Sequence, residues 1–262
     1  MKPDYKNWMP KGMVLSFLAG AVISTTIFLI LRISGYGRTG WKRVLCITSG
    51  VLALIFIPVT IWMFLMYRAF SYDGKRKMSK QIIDGIAGYV KIPNGGECLD
   101  IGCGSGALTI AVAKRNPGAV VTGVDRWGKE YASFSKSLCE KNAEAEKVRN
   151  VLFEKGDATS LPFADGTFDV ITSNYVYHNI PSNDRQKILM ESLRTLKKGG
   201  AFVIHDIMSK AKYGDMDAFV ERLRKDGYEE VNLADTTDGK FMTRWEAAWM
   251  GLSGSKILYG RK

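Results

Sequence analysis

Asp100-Ile101-Gly102-Cys103-Gly104-Ser105-Gly106 lies between the apolar pair Cys98-Leu99 and the helix-like run Ala107–Ala113. Strand, glycine turn and helix, in that order, are how doubly wound α/β folds bring backbone N–H groups up to a nucleotide-like ligand. Glycines at alternate positions answer a need for left-handed backbone, or for close approach without a Cβ. An acid ahead of the first glycine is a poor neighbour for a pyrophosphate and a good one for an ammonium group. A dinucleotide fingerprint also wants two residues between its second and third glycines, whereas only Ser105 separates Gly104 from Gly106. The segment points to S-adenosyl-L-methionine, whose amino-acid end carries a positive amine.

Working outward, strands and helices alternate. Expected strands are Glu97–Ile101, Val120–Asp125, Val151–Asp157, Phe168–Asn174 and Ala201–Ile207, with two more at Tyr228–Leu233 and Ser255–Tyr259. Expected helices are Gln81–Tyr89 (capped by Ser79), Gly106–Arg115, a long one over Gly128–Lys147, one from Ser182 or Asn183 to Lys198 closed by Gly199-Gly200, and Asp217–Asp226. This alternation predicts a parallel α/β sheet. Ligands in such sheets sit outside the carboxyl ends of the strands. Asp100, Asp125 and Asp157 all end strands, so they are expected at one edge: Asp100 at the amino-acid moiety, Asp125 at the ribose hydroxyls, Asp157 at the adenine amine.

Leu99–Gly106, Val124-Asp125, Gly156-Asp157-Ala158 with Leu161-Pro162-Phe163, Phe168-Asp169-Val170-Ile171 and Leu196-Lys197-Lys198-Gly199-Gly200 together resemble the ordered motifs of class I S-adenosylmethionine-dependent methyltransferases. The resemblance covers roughly residues 75–262. It implies a Rossmann-like seven-stranded methyltransferase sheet whose final strand, Ser255–Tyr259, is antiparallel. It implies cofactor contacts at Asp100, Gly102, Cys103, Gly104, Gly106, Asp125, Arg126, Asp157, Ala158 and Asn174, with S-adenosyl-L-homocysteine as product.

Methyl transfer needs alignment more than acid–base chemistry, and a base helps only if the acceptor arrives protonated. His178, in Asn174-Tyr175-Val176-Tyr177-His178-Asn179 just past the fourth strand, is the expected base, with Tyr175 as a pocket-lining partner. His205, next to Asp206, is a weaker candidate. The four cysteines form no Cys-x-x-Cys pair and the chain has two histidines, so no metal is expected.

Upstream, Gly12–Leu31 and Val44–Tyr67 are uncharged and mostly apolar, 20 and 24 residues long, and each is long enough to cross a hydrocarbon core of about 30 Å. They predict a membrane anchor over residues 1–70, with transmembrane helices at about 12–33 and 44–67 joined as a hairpin, ahead of a methyltransferase domain at 71–262. A cleaved signal peptide is the rival reading of the first run. It is disfavoured by the length of the run and by the second span that follows. The formal charge is +11, but residues 1–80 hold 12 Lys/Arg against two acids, while the rest of the chain is nearly balanced. The excess flanks the spans, as expected for an anchor beside anionic headgroups rather than for a nucleic-acid binder. It favours both termini in the cytoplasm. The expected partners are the lipid bilayer and a small, lipophilic methyl acceptor: a quinol or phenol, a lipid, a thiol or an amine. Soluble acceptors, or a non-catalytic sensor or scaffold, are the alternatives. Gly12, Ala19, Gly20 and Ala21 offer a small-residue face for homo-oligomerisation of the hairpin.

Overall fold

A computed structural model describes residues 2–128 and 133–262 of the chain. Two compact units emerge: Asn7–Ser79, and Lys80–Lys262 together with the N-terminal residues up to Lys6. The division therefore falls nine residues past the expected one at residue 70, and the first residues of the chain join the larger unit.

The smaller unit is a pair of helices, α1 (Lys11–Ile33) and α2 (Gly40–Phe70), joined through a single 3-10 turn at Tyr36–Arg38. Both are long and apolar enough to cross a membrane. They pack by placing glycine under aromatic rings. A Cβ on Gly20 would lie 3.3 Å from the Phe56 ring, and one on Gly50 would lie 2.9 Å from Phe28 Cδ2. Phe17 and Phe56 meet edge-on at 6.0 Å. The hydroxyls of Ser24, Ser49 and Thr60 donate to carbonyls of their own helix, which satisfies them without water. Gly20 and Ala21 are thus used inside the hairpin, while Gly12 faces open space. The expected assembly face is divided between these two surroundings.

Helix α3, Met78–Gly88, crosses the division, with all but its first two residues in the larger unit. Ser79 lies within its first turn and donates to the Phe70 carbonyl, so it is not the N-cap expected for it. Strands β1 (Glu97–Ile101), β2 (Val120–Asp125), β3 (Val151–Lys155), β4 (Phe168–Asn174), β5 (Leu196–Ile207), β6 (Glu229–Asp235) and β7 (Ser255–Arg261) form one sheet in the order β3-β2-β1-β4-β5-β7-β6. Strands β1 to β5 are parallel, and β7 runs antiparallel to both β5 and β6. This is the seven-stranded sheet with an antiparallel final strand that the resemblance implied. The intervening helices are α4 (Ala107–Arg115), α5 (Lys136–Ala145), α6 (Arg185–Arg194), α7 (Lys210–Tyr213), α8 (Met216–Lys225) and α9 (Arg244–Trp249). Leu99, Ile101, Ile171, Leu189, Leu193, Phe202 and Phe219 are fully buried together in the core, which fixes where the strand ends emerge.

Three element expectations need correction. The helix expected over Gly128–Lys147 begins only at Lys136, because the Ser135 hydroxyl caps it by accepting from the Leu138 amide. Residues 129–132 of that expectation lie outside the described residues. The Asp184 carboxylate, rather than Ser182 or Asn183, caps α6. Leu196–Gly200 is strand rather than helix end. Phe168 pairs with Leu196 and Val170 with Ala201, so Lys197–Gly200 form a bulge that takes up the extra residues.

The N-terminal residues are held by side chains rather than by regular structure. The Asn142 amide accepts from the Asp4 N–H at 2.7 Å and donates to the Asp4 carbonyl at 3.0 Å. Ser105, in the middle of the glycine turn, donates to the Tyr5 carbonyl at 2.9 Å.

Candidate active site

The glycine turn joins β1 to α4 with Gly102, Gly104 and Gly106 all at positive φ, between 56° and 80°. A Cβ on Gly102 would run into the Val176 side chain, and one on Gly106 would press the Phe153 ring at 3.1 Å. At Gly104 the nearest atom is a Phe134 ring carbon at 3.8 Å, so this is the open face of the turn. Gly102→Ala combines a disfavoured backbone with an overpacked contact. It is expected to destabilise the fold by at least about 2 kcal/mol, read as a lower thermal midpoint in detergent micelles.

Four amide hydrogens of the turn are already donated. Gly102 and Cys103 bond the Val124 carbonyl, Gly104 bonds Asp125 Oδ2 at 2.9 Å, and Gly106 bonds the Cys103 carbonyl. A turn with its donors committed this way is ill suited to a pyrophosphate and better suited to a cation, which wants carbonyl and carboxylate oxygens. The Cys103 side chain points into the protein, and Cys139, buried beneath the turn, donates from Sγ to the Gly104 carbonyl. Cys103 therefore faces the ligand side only through its backbone.

Asp100 is not open at the rim. It is 1% exposed; Thr109 Oγ1 donates to Oδ2 at 2.6 Å and Thr172 Oγ1 to Oδ1 at 3.0 Å. The direct link to an ammonium group is thereby corrected: the carboxylate braces the turn from behind and contributes its field. Burial, only partly offset by the two hydroxyls, raises its pKa from 3.8 to about 7. Because the folded value lies above the unfolded one, the stability this carboxyl contributes is fully present below about pH 4 and is lost as pH rises through 7. Asp100→Asn removes that dependence. Its stability relative to the native chain is expected to improve by up to about 4 kcal/mol between pH 4 and pH 8, seen by comparing the two melting curves at each pH.

Asp125 ends β2 half-buried, accepting from Gly104 N at Oδ2 and from Trp127 N at Oδ1, 2.7 Å. Trp127 Nε1 returns a bond to the Gly104 carbonyl at 3.0 Å. These bonds hold Trp127 at a φ of 43°, which a non-glycine residue seldom adopts. Trp127 belongs to the hydrogen-bond network that ties Asp125 to the glycine turn, and the sequence reading missed it. Asp157, just past β3, accepts from both the amide and the hydroxyl of Thr159 at Oδ1. Those bonds, before the Arg126 charge, lower its pKa. Its Oδ2 lies 4.0 Å from the exposed Arg126 guanidinium, and Ala158 packs on the core. One oxygen of Asp157 therefore builds its own turn and the other faces outward with Arg126.

Across β1, the ends of β4 and β5 form the second half of the site. Asn174 Oδ1 meets His205 Nδ1, and His205 Nε2 meets Thr236 Oγ1, each at 2.9 Å. Burial drops the His205 pKa to about 3. With both nitrogens engaged and no exposure, His205 is corrected from candidate base to a neutral structural link. The Tyr175 hydroxyl is tied to Ser255 Oγ at 2.7 Å, and burial pushes its pKa up. Its ring lies against His205 at 4.7 Å, tilted by 58°, and meets His178 edge-on at 5.9 Å. Tyr175 is thus a wall and a support, not a proton acceptor.

His178 is different. Its Nδ1 lies 2.5 Å from Asp206 Oδ1, and its ring keeps 13% of its exposure. Asp206 is fully buried; burial alone would raise its pKa, but the His178 contact and the Ile207 amide together bring it below the usual value. An ionised Asp206 only accepts, so Nδ1 carries the hydrogen and Nε2 is left as the acceptor. Arg185 holds this loop by donating to the carbonyls of Tyr177, Ile180, Ser182 and Lys212. The hydroxyl of Tyr213, buried nearby, interacts with the Asp206 carboxylate and helps hold its pKa down. Neither Arg185 nor the role of Asp206 was foreseen from sequence. The alternation of side chains along β5, which sends His205 and Asp206 to opposite faces, was the available signal.

The family profile described as a methyltransferase domain matches residues 92–249. A 27-O-demethylrifamycin SV methyltransferase of Amycolatopsis mediterranei is 30% identical over 147 residues, 56% of this chain and 52% of its own length. A ubiquinone/menaquinone biosynthesis C-methyltransferase of Desulfotalea psychrophila is 31% identical over 165 residues, 63% and 60% respectively. The chain thus spans about half to three fifths of these two relatives. Among solved structures, the [4+2]-cyclase SpnF superposes with a TM-score of 0.52 at 20% identity, over 70% of this chain and 81% of its own; that likeness concerns the fold alone. With the match spanning more than half its length, the chain belongs to the class I S-adenosylmethionine-dependent methyltransferases.

Proposed function

We propose that the chain methylates a small lipophilic acceptor bearing an acidic O–H, a quinol or phenol, with S-adenosylmethionine as donor, at a membrane surface. The observation that carries this reading is the His178–Asp206 pair at the ends of β4 and β5, opposite the glycine turn. The donor-side residues fit the cofactor: an open face at Gly104, a turn with committed donors, and Asp125 at the end of β2, where two oxygens suit a pair of ribose hydroxyls. When bound, S-adenosylmethionine supplies an electrophilic methyl group on a sulfonium leaving group. Asp100 and the turn carbonyls then favour its ammonium end, and Asp125 fixes its sugar. Asp157 Oδ2 is left for the adenine amine. His178 Nε2 takes the O–H proton of the acceptor while Asp206 stabilises the resulting imidazolium. The freed electron pair is then available at oxygen or, by conjugation, at a ring carbon. The two relatives named above divide in the same way, one named for a methyl on oxygen and one for a methyl on carbon.

The membrane part of the reading rests on α1 and α2. Only 17% of each apolar window is buried, and side chains such as Ile23, Ile30, Val44 and Leu54 are 56% or more exposed, a surface that water disfavours and lipid accommodates. Basic residues before α1 and after α2 favour cytoplasmic termini. The test is to incubate purified protein with methyl-tritiated donor and total membrane extract. Label in the organic-extractable fraction supports a bilayer-resident acceptor, and label confined to water-soluble products removes it. No transfer despite bound donor favours a sensor or scaffold.

A further inference from the structure

The segment between β6 and β7 leaves the sheet at Asp235 and returns at Ser255, which pairs with Ile207. Its roots therefore stand at the carboxyl end of β5, beside Asp206. Phe241 packs edge-on to His205 at 5.3 Å, and Ser255 holds the Tyr175 hydroxyl. On this base stands α9, started by a capping box between Thr243 and Glu246. It carries Trp245, 71% exposed and stacked on Trp249 at 5.9 Å with an interplanar angle of 9°.

That exposure is out of character for the larger unit. Among its described residues, the exposed large apolar side chains are Val120, Leu152 and Trp245. Trp245 is the single aromatic of the three, and it sits at the acceptor end of the sheet. Arg244, exposed, immediately precedes Trp245 on α9, and Lys240, exposed in the loop leading to it, lies over the Tyr89 ring at 5.8 Å. An indole has an apolar ring and a polar N–H, and is accommodated best at the headgroup level of a bilayer, where the two cations also meet anionic phosphates.

We propose that α9 is a membrane-contact element: Trp245 and Trp249, with Lys240 and Arg244, rest in the headgroup zone of an anionic bilayer and bring the acceptor side of the site to its surface. This rests on the membrane reading of the proposed function but not on the identity of the acceptor. The four native cysteines are buried, so a nitroxide can be placed selectively in the full chain by Trp245→Cys. Lys198→Cys, exposed in the bulge of β5 at the opposite end of the sheet, is the reference. In vesicles containing phosphatidylglycerol, the label at 245 is expected about 5–10 Å below the phosphates by oxygen and nickel-complex accessibility, and the label at 198 in water. Equal access of the nickel complex to both labels overturns the proposal. So does a label at 245 shielded from both relaxants, as in contact with a second copy or another protein. Arg244→Cys reads the same depth with both indoles kept, should Trp245→Cys fail to fold. Either outcome is independent of where tritiated methyl partitions, so failure here and failure of the acceptor reading are separable.

Discussion

His178→Ala is expected to lower turnover on an O–H acceptor by about 10²–10⁴-fold, the usual worth of a positioned general base, while leaving donor affinity unchanged. The reason is geometric. Nδ1 is bound to Asp206 and the ring is partly exposed, so Nε2 is the nitrogen able to reach an acceptor. Asp206→Asn presents an amide where the imidazole N–H needs an anion, and is expected to reproduce most of the loss. A structural defect would depress every acceptor equally. A lost base would not: the deficit of His178→Ala should shrink for phenols acidic enough to arrive ionised. Native turnover by His178→Ala on weakly acidic acceptors would remove the base from the account.

Asp125→Ala is expected to weaken donor binding by about 100-fold, since two charge-assisted hydrogen bonds to sugar hydroxyls are worth roughly 3 kcal/mol. Equilibrium dialysis with labelled donor reads this directly. Because Asp125 also accepts from the Gly104 and Trp127 amides, alanine loosens the turn as well. Asp125→Asn keeps one acceptor oxygen, and should therefore bind more tightly than alanine and less tightly than the native chain. Affinity within about twofold of native for Asp125→Ala would mean that the sugar lies elsewhere.

The sequence was most legible where one local rule decides an element. Apolar runs carrying a late acid gave β1 and β2 with their observed limits, and the glycine spacing marked the turn between β1 and α4. Misreadings arose where two signals look alike. Gly199-Gly200 reads as a helix C-cap but serves a bulge, because Phe168 and Ala201 had to find partners on adjacent strands. Asp100 reads as a ligand contact, yet Thr109 from α4 and Thr172 from β4 enclose it, contacts 9 and 72 positions away that local pattern does not carry. The same holds for the pairing of His178 with Asp206, which depends on the register of β4 against β5, and for the hold of Asn142 and Ser105 on residues 4 and 5. Helix α9 is too short to show a period, and its one local signal, the Thr243–Glu246 capping box, went unread.

Titrating S-adenosylhomocysteine into the full-length protein in detergent, by calorimetry, tests the central claim most directly. The account predicts one saturable site per chain whose heat is lost in Asp125→Ala and retained in His178→Ala. No heat from well-folded protein, or native heat from Asp125→Ala, would contradict a donor site at the ends of β1 and β2.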